Sequence, residues 1–203
     1  MGSSNAMFNI SYGLYILTAK SGEKDNGCII NTVMQVTSSP NRISIAVNKS
    51  NCTHDMIKES GAFNVSVLTQ DTPMSVFKHF GFQSGKDVDK FADFPKVRSE
   101  NGIVYLPDYA NSYISAKVID SVDLGTHTVF FAEVTQTKVL TDAPSVTYDY
   151  YHANIKTQAK PQTEVKKGYV CKICGYVYEG SELPPDFVCP ICKHGAEDFE
   201  EIK

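Results

Sequence analysis

The sequence has no excess of positive charge, no long apolar run and no glycine-rich nucleotide signature, and each lack closes off a class of function. Its 203 residues carry 19 Lys and Arg against 23 Asp and Glu. The net charge is −4 and the pI near 5.7. The cations are scattered rather than clustered, so nucleic acid is set aside as a partner. No segment approaches the roughly 20 consecutive apolar residues that a bilayer span needs. No basic-then-apolar stretch opens the chain. The expectation is a cytoplasmic protein that does not enter membranes. No GxGxxG occurs, and Ser84-Gly85-Lys86 lacks the rest of a GxxxxGK[ST] frame. Internal repeats and low-complexity tracts are also missing.

What is present divides in two. Six cysteines occur, four of them as two Cys-x-x-Cys pairs, Cys171/Cys174 and Cys189/Cys192, with fourteen residues between the pairs. The other two, Cys28 and Cys52, lie far upstream and read as buried thiols, since free cysteine packs as a small hydrophobe. This distribution suits a metal site in a reducing compartment better than a disulfide framework. Residues 1–6 (MGSSNA) read as an expression scar ahead of Met7.

From Tyr12 to Leu140 strand-like segments dominate: GLYILTAK, CIINTVMQVTS, RISIAVNK, FNVSVLTQ, YISAKVIDSVDLG and HTVFFAEVTQTKVL. Several alternate with period two, with Ile43, Ile45 and Val47 on one face and Phe63, Val65 and Val67 on another, so half-buried strands are expected. Short helices are predicted over 53–60, ending before Gly61, and over 73–80, with Pro73 as the first helical residue. Many strands with few helices predict a mainly β fold, a closed or split barrel, because closure removes unpaired edges. TYDYYHAN reads as a helical turn packing on the barrel. Residues 155–167 form a polar linker, which extended would reach about 40 Å. The domain boundaries expected are 7–154 for the barrel and 168–203 for the tail.

Bringing two Cys-x-x-Cys turns together gives a closed cage of four sulfurs. A closed thiolate site has no open position for substrate. It holds either a structural zinc or an iron that only gains and loses an electron, and the spacing alone does not choose between them. YVCxxCGYVY followed by DFVCPxC resembles rubredoxin, with one iron on four cysteines. The likeness covers 169–203. Tyr169, Tyr176, Phe187 and Phe199 would form the apolar shell that tunes an iron potential. The segment between the pairs is shorter than in ordinary rubredoxins, and Lys193 stands where glycine often follows the fourth ligand. The short loop is similar to the tails of rubrerythrins. The resemblance thus implies Cys171, Cys174, Cys189 and Cys192 as iron ligands, with zinc as the alternative ion. The tail is acidic, seven carboxylates against three lysines. That is a solubilising surface or a patch that steers a basic redox partner.

In NKSNCTHD, Lys49, Ser50, Asn51 and Thr53 place one cation and three small polar side chains before a predicted helix, where free N–H groups favour an anion. Asp55 in the same turn opposes this slightly. The plainer reading is that Thr53 caps the helix. In NTVMQVT, Asn31, Thr32 and Gln35 put amide and hydroxyl groups beside an apolar strand, and Asn48 belongs to either group.

The run CIINTVMQVTSSPNRISIAVNKSNCTHDMIKESGAFNVSVL resembles the flavin reductase-like family, as do FGFQSGKDVDKF and YDYYH later in the same order. Members of that family are FMN-binding split β-barrels that usually form homodimers. The resemblance spans Tyr12 to Ala153. It implies an FMN phosphate at Lys49, Ser50, Asn51 and Thr53 and the flavin ring beside Asn31, Thr32, Gln35 and Asn48. It places the YDYYH segment near the flavin, making His152 the histidine to test; His79 and His127 read as ordinary histidines. Phe80, Phe82, Tyr148 and Tyr151 would wall the pocket. No general acid stands out, so positioning should supply most of the rate.

The two modules together resemble the high-molecular-weight rubredoxins of anaerobes. That likeness implies NAD(P)H as donor, FMN and iron as carriers, and a redox protein as acceptor, a flavodiiron protein that reduces nitric oxide or dioxygen. The alternatives are a reductase that releases reduced flavin, or a flavin-binding module, either with a zinc-stabilised tail.

Overall fold

The structure is a computed structural model and describes residues 9–156, 168–172, 176–189 and 195–202. The chain divides into two compact units, Met1–Gln158 and Ala159–Lys203. The expected scar and residues 157–167 of the expected linker lie outside the described residues.

The first unit is built on seven antiparallel strands: β1 (Tyr15–Ser21), β2 (Lys24–Ile30), β3 (Met34–Ser38), β4 (Asn41–Asn48), β5 (Ala62–Leu68), β6 (Ala110–Asp123) and β7 (His127–Val139). Their order is β2-β1-β5-β6-β7-β4-β3, so β2 and β3, neighbours in sequence, are the two edges of the sheet. The sheet is therefore open, the split form of the two barrel alternatives. The run CIINTVMQVTS, expected as one segment, breaks after Ile30. The Thr32 hydroxyl donates to the Ala46 carbonyl (2.8 Å) and accepts from the Ala46 N–H (3.1 Å). It thereby replaces a ladder rung and hands the chain from one edge to the other.

The alternation in β4 is as expected, with Ile43, Ile45 and Val47 buried. β5 differs. Phe63 and Val65 are fully buried, but so are Asn64 and Ser66 on the opposite face, while Val67 is partly exposed. The reason is a loop, residues 97–106, which lies over that face. Asn64 donates to Ser99 Oγ (2.8 Å) and to the Ile103 carbonyl (2.9 Å), and Ser66 Oγ accepts from the Leu106 N–H (3.1 Å). Buried polar groups are tolerated when bonded in this way.

Two helices pack on the sheet. α1 (Cys52–Ser60) has Asn51 as N-cap and ends on Gly61, whose φ of 67° is the left-handed conformation that favours glycine. Its inner face puts Met56 and Ile57 against Leu17, Ile45 and Phe63 in the main core. α2 (Met74–Gly81) begins one residue later than expected, with Pro73 as N-cap, and buries Val76, Phe77 and Phe80 in a second core with Ile16 and Phe91. The YDYYHAN segment is helical as expected, in two parts, Tyr148–Tyr150 and a π-helical turn Tyr151–Lys156. Bonds from Leu14 N to Val146 O (3.2 Å) and from Tyr148 N to Tyr12 O (2.8 Å) tie it to the start of β1.

The second unit has a small sheet, β8 (Tyr169–Cys171), β9 (Val177–Tyr178) and β10 (Phe199–Glu201), in the order β10-β8-β9. Its buried cluster is Cys171, Cys189 and Phe199, with Tyr169, Tyr176, Tyr178, Leu183 and Phe187 packed around it.

Candidate functional site

The loop 48–51 joins β4 to α1, and its geometry follows from short local bonds. Asn48 Oδ1 accepts from both the N–H and the hydroxyl of Ser50 (2.9 Å each), an Asx turn that folds the loop back. Asn51 N donates to Asn48 O and His54 N to Asn51 O (3.0 Å each). The Asn51 side chain makes no capping bond to the helix, so its amide is available to a ligand. The sequence thus brings Asn48, Ser50 and Asn51 into one turn at a helix N-terminus, with Lys49 beside them.

Two predicted residues sit differently. Thr53 is fully buried, its oxygen accepting from Asn26 Nδ2 (3.0 Å) and sharing a hydrogen bond with the Cys28 thiol. Its hydroxyl therefore faces the core and neither caps the helix nor joins the loop. Lys49 is already paired, its ammonium 2.5 Å from both carboxylate oxygens of Asp123. The ammonium holds the Asp123 carboxyl below its usual range, helped by the Gly125 N–H.

The Asn31–Val33 link is tied by the Thr32–Ala46 bonds to β4, two residues before this loop begins. Asn31 and Thr32 are half-buried, whereas Gln35 is exposed and donates to Asn41 Oδ1 (2.9 Å) across the β3–β4 pair. His152 is half-buried and makes edge contacts with Tyr148 (4.5 Å between ring centroids) and Tyr151 (5.4 Å). Burial pushes its pKa down, Lys156 adds to that, and Asp149 opposes it. These ring partners belong to its own helical segment, not to the loop. Phe80 and Tyr151 are core residues, and Phe82 and Tyr148 are partly buried.

Cys28 is buried as expected, and burial pushes its thiol pKa up, whereas Cys52, the first residue of α1, is only partly buried. Next to Cys28 is a group that the sequence did not single out. Lys90 is 2% exposed and donates to the carbonyls of Gly27 (2.9 Å) and Phe80 (2.8 Å). Burial lowers its pKa. Asp123 likewise carries no local sequence signal, because its partner Lys49 is 74 positions away. A surface cavity of about 390 Å³ lies at the other end of α1, lined by Ser60, Gly61, Glu100, Lys117 and Gln136 among others. None of the predicted site residues lines it.

In the tail, Cys171 and Cys189 are 1% and 0% exposed in one cluster. Phe187 stands between Tyr178 (4.7 Å) and Phe199 (5.3 Å). The Cys171 N–H donates to Tyr176 O (2.8 Å). Two thiols within an aromatic shell fit a thiophilic metal. Cys174 and Cys192 lie outside the described residues.

A family model for the flavin reductase-like domain matches residues 7–158, and one for the rubrerythrin, rubredoxin-like domain matches 169–200. The chain belongs to the flavin reductase-like family, in the two-domain form of the high-molecular-weight rubredoxins. It is 37% identical to the high molecular weight rubredoxin of Moorella thermoacetica over 98% of this chain and 99% of that one. A ferric-chelate reductase (NAD(P)H) of Archaeoglobus fulgidus is 42% identical over 78% of this chain and 93% of its own. The NADH:FAD oxidoreductase SgcE6 of Streptomyces globisporus C-1027 superposes with a TM-score of 0.62 at 21% identity, over 72% of this chain and 90% of that structure; that likeness shows the fold alone. A flavin-binding reductase domain joined to a rubredoxin-like domain makes flavin-dependent electron transfer the activity of the chain, with flavin and iron as its cofactors. No helix among the described residues is long and apolar enough to cross a membrane.

Proposed function

We propose that the barrel takes two electrons from NAD(P)H onto FMN and that they pass singly to an iron held by Cys171, Cys174, Cys189 and Cys192, and then to a redox protein. The observation that carries this reading is one chain containing both a polar loop at a helix N-terminus, with Asn48, Lys49, Ser50 and Asn51 in one turn, and a buried thiol pair in an aromatic shell. Lys49, Ser50 and Asn51 would hold the FMN phosphate, with Asn48 shaping the turn. Asn31, Thr32 and Gln35 would lie along the polar edge of the ring. Flavin supplies the step between a two-electron donor and a one-electron acceptor. The chain's residues bind, orient and exclude water. His152 is the residue to test for proton handling, since it stands against Tyr148 and Tyr151 and burial disfavours its charged form.

Partners follow from surfaces. The ferric-chelate reductase relative bears NAD(P)H in its name, which favours a nicotinamide donor. The acidic tail suits steering of an acceptor, and the high-molecular-weight rubredoxin likeness favours a flavodiiron protein. A homodimer is supported by β3, an edge strand exposed along its length, and by Ile119 and Val122 in the last part of β6 and Leu124 just past it, all exposed, because open sheet edges and exposed apolar patches are usually covered. Residues 7–154 and 168–203 act as separate modules joined by 155–167, in a cytoplasmic protein.

Protein isolated anaerobically from the native host should carry stoichiometric flavin and iron, and NADH or NADPH should bleach the flavin bands. Flavin with stoichiometric zinc would instead favour a reductase or binding module with a structural tail. Flavin that no nicotinamide reduces would make the barrel a binder.

A further inference from the structure

Lys49 is the cation of the loop that the proposed function assigns to the FMN phosphate, and it already has an anion. Asp123 presents both oxygens to its ammonium at 2.5 Å. The arrangement is built into the backbone rather than left to two mobile side chains. Asn48 pairs with His127 in the β4–β7 ladder, and Lys49 N donates to Thr126 O (3.0 Å). The β6–β7 turn is therefore fixed beside the loop. Within that turn Asp123 Oδ1 accepts from the Gly125 N–H (2.8 Å), where glycine permits the φ of 84° that the turn needs. Asp123 is thus aimed at Lys49 by the hairpin.

The formal charges around the loop nearly cancel. Lys49 and Lys58 are the cations that act on Asp123, and Asp55 lies in the first turn of α1. A phosphomonoester carries about −1.5 to −2 charges at pH 7. It enters a loop whose cation is occupied, and either displaces the carboxylate or shares Lys49 with it. Both pairing groups are partly exposed, 35% for Lys49 and 67% for Asp123, so displacement into water is feasible.

We infer that Asp123 is a specificity-determining residue that competes with the flavin phosphate for Lys49, holding FMN affinity below what the loop would otherwise give. The inference rests on the reading that loop 48–51 takes the phosphate. It implies that flavin tenure is set by a carboxylate on the β6–β7 turn. Ligands without the phosphate should be indifferent to it.

The test compares FMN and riboflavin, which differ by the phosphate alone, by titrating flavin-free protein with each. Asp123→Asn keeps an oxygen for the Gly125 N–H while removing the charge. It should tighten FMN binding about three- to tenfold at low salt, with the gain shrinking as salt is raised. Riboflavin binding should be unchanged. Weaker FMN binding in this variant, or an equal effect on both flavins, overturns the inference. Lys49→Met tests the underlying reading separately. It should lower FMN affinity and spare riboflavin. If it leaves the ratio of the two unchanged, the phosphate is not in this loop, whatever the Asp123 variant does. If Lys49→Met lowers the ratio and Asp123→Asn does not raise it, the phosphate site stands and the role of Asp123 falls.

Discussion

The two units of this chain are stabilised by different means. The barrel buries two apolar clusters, one around Ile45, Phe63 and Phe130 and one around Phe77, Phe80 and Phe91, and covers β5 on both faces. The tail, among its described residues, buries three side chains, and two of them are cysteines. A unit that small does not gain enough from apolar burial to fold by itself. Its metal is then part of its core, whereas the flavin binds to a barrel that is already complete. Losing either cofactor should have opposite structural consequences.

Several variants would break or sharpen that contrast. The largest effect is expected from Cys171→Ser, because apparent binding energies of structural thiolate sites are about 10 kcal/mol. The variant should lose iron and the protease resistance of the tail, while the barrel keeps its melting temperature. Calorimetry with metal analysis checks both. Phe63→Ala, in the main core, should destabilise the barrel by about 3–5 kcal/mol and leave iron content unchanged. Lys90→Met leaves the carbonyls of Gly27 and Phe80 without their donor, and should cost the barrel about 1–3 kcal/mol in urea unfolding. Thr32→Val is isosteric and removes both bonds to Ala46. A loss of about 1–2 kcal/mol should be accompanied by weaker flavin binding, since the link beside the loop loosens.

The smallest effect concerns pH. The His152 pKa is below 6.5 in the folded chain because burial and Lys156 disfavour the charged ring. Between that depressed value and 6.5 the unfolded chain binds more protons, so stability rises with pH through this window and is complete above it. His152→Asn should flatten that slope slightly, and a matching change in the pH profile of flavin reduction would show that the ring also handles a proton.

Much of this was legible in the sequence, and the limits are physical. The period-two pattern of RISIAV identifies β4 because one face is buried and the other is not. FNVSVL has the same pattern, yet both faces are buried, since a loop forty residues downstream bonds Asn64 and Ser66; alternation reports polarity, not burial. CIINTVMQVTS reads as one segment because Thr32 reveals its role as a rung only once Ala46 is beside it. Thr53 looks like a cap from its position, but the helix starts one residue earlier and turns its hydroxyl inward. The cysteine pairs were visible outright, since ligand spacing within a turn is a local property. The Lys49–Asp123 pair was invisible because it is not.

The central claim is that electrons from the barrel's flavin reach the tail's iron within the assembled protein. Anaerobic stopped-flow reduction of flavin- and iron-loaded protein by NADH or NADPH, followed at both the flavin and the ferric-thiolate bands, tests it most directly. The account predicts that flavin bleaches first and that iron follows at a rate independent of protein concentration. Bleached flavin beside persistently ferric iron, or iron reduction whose rate rises in proportion to protein concentration, would contradict it.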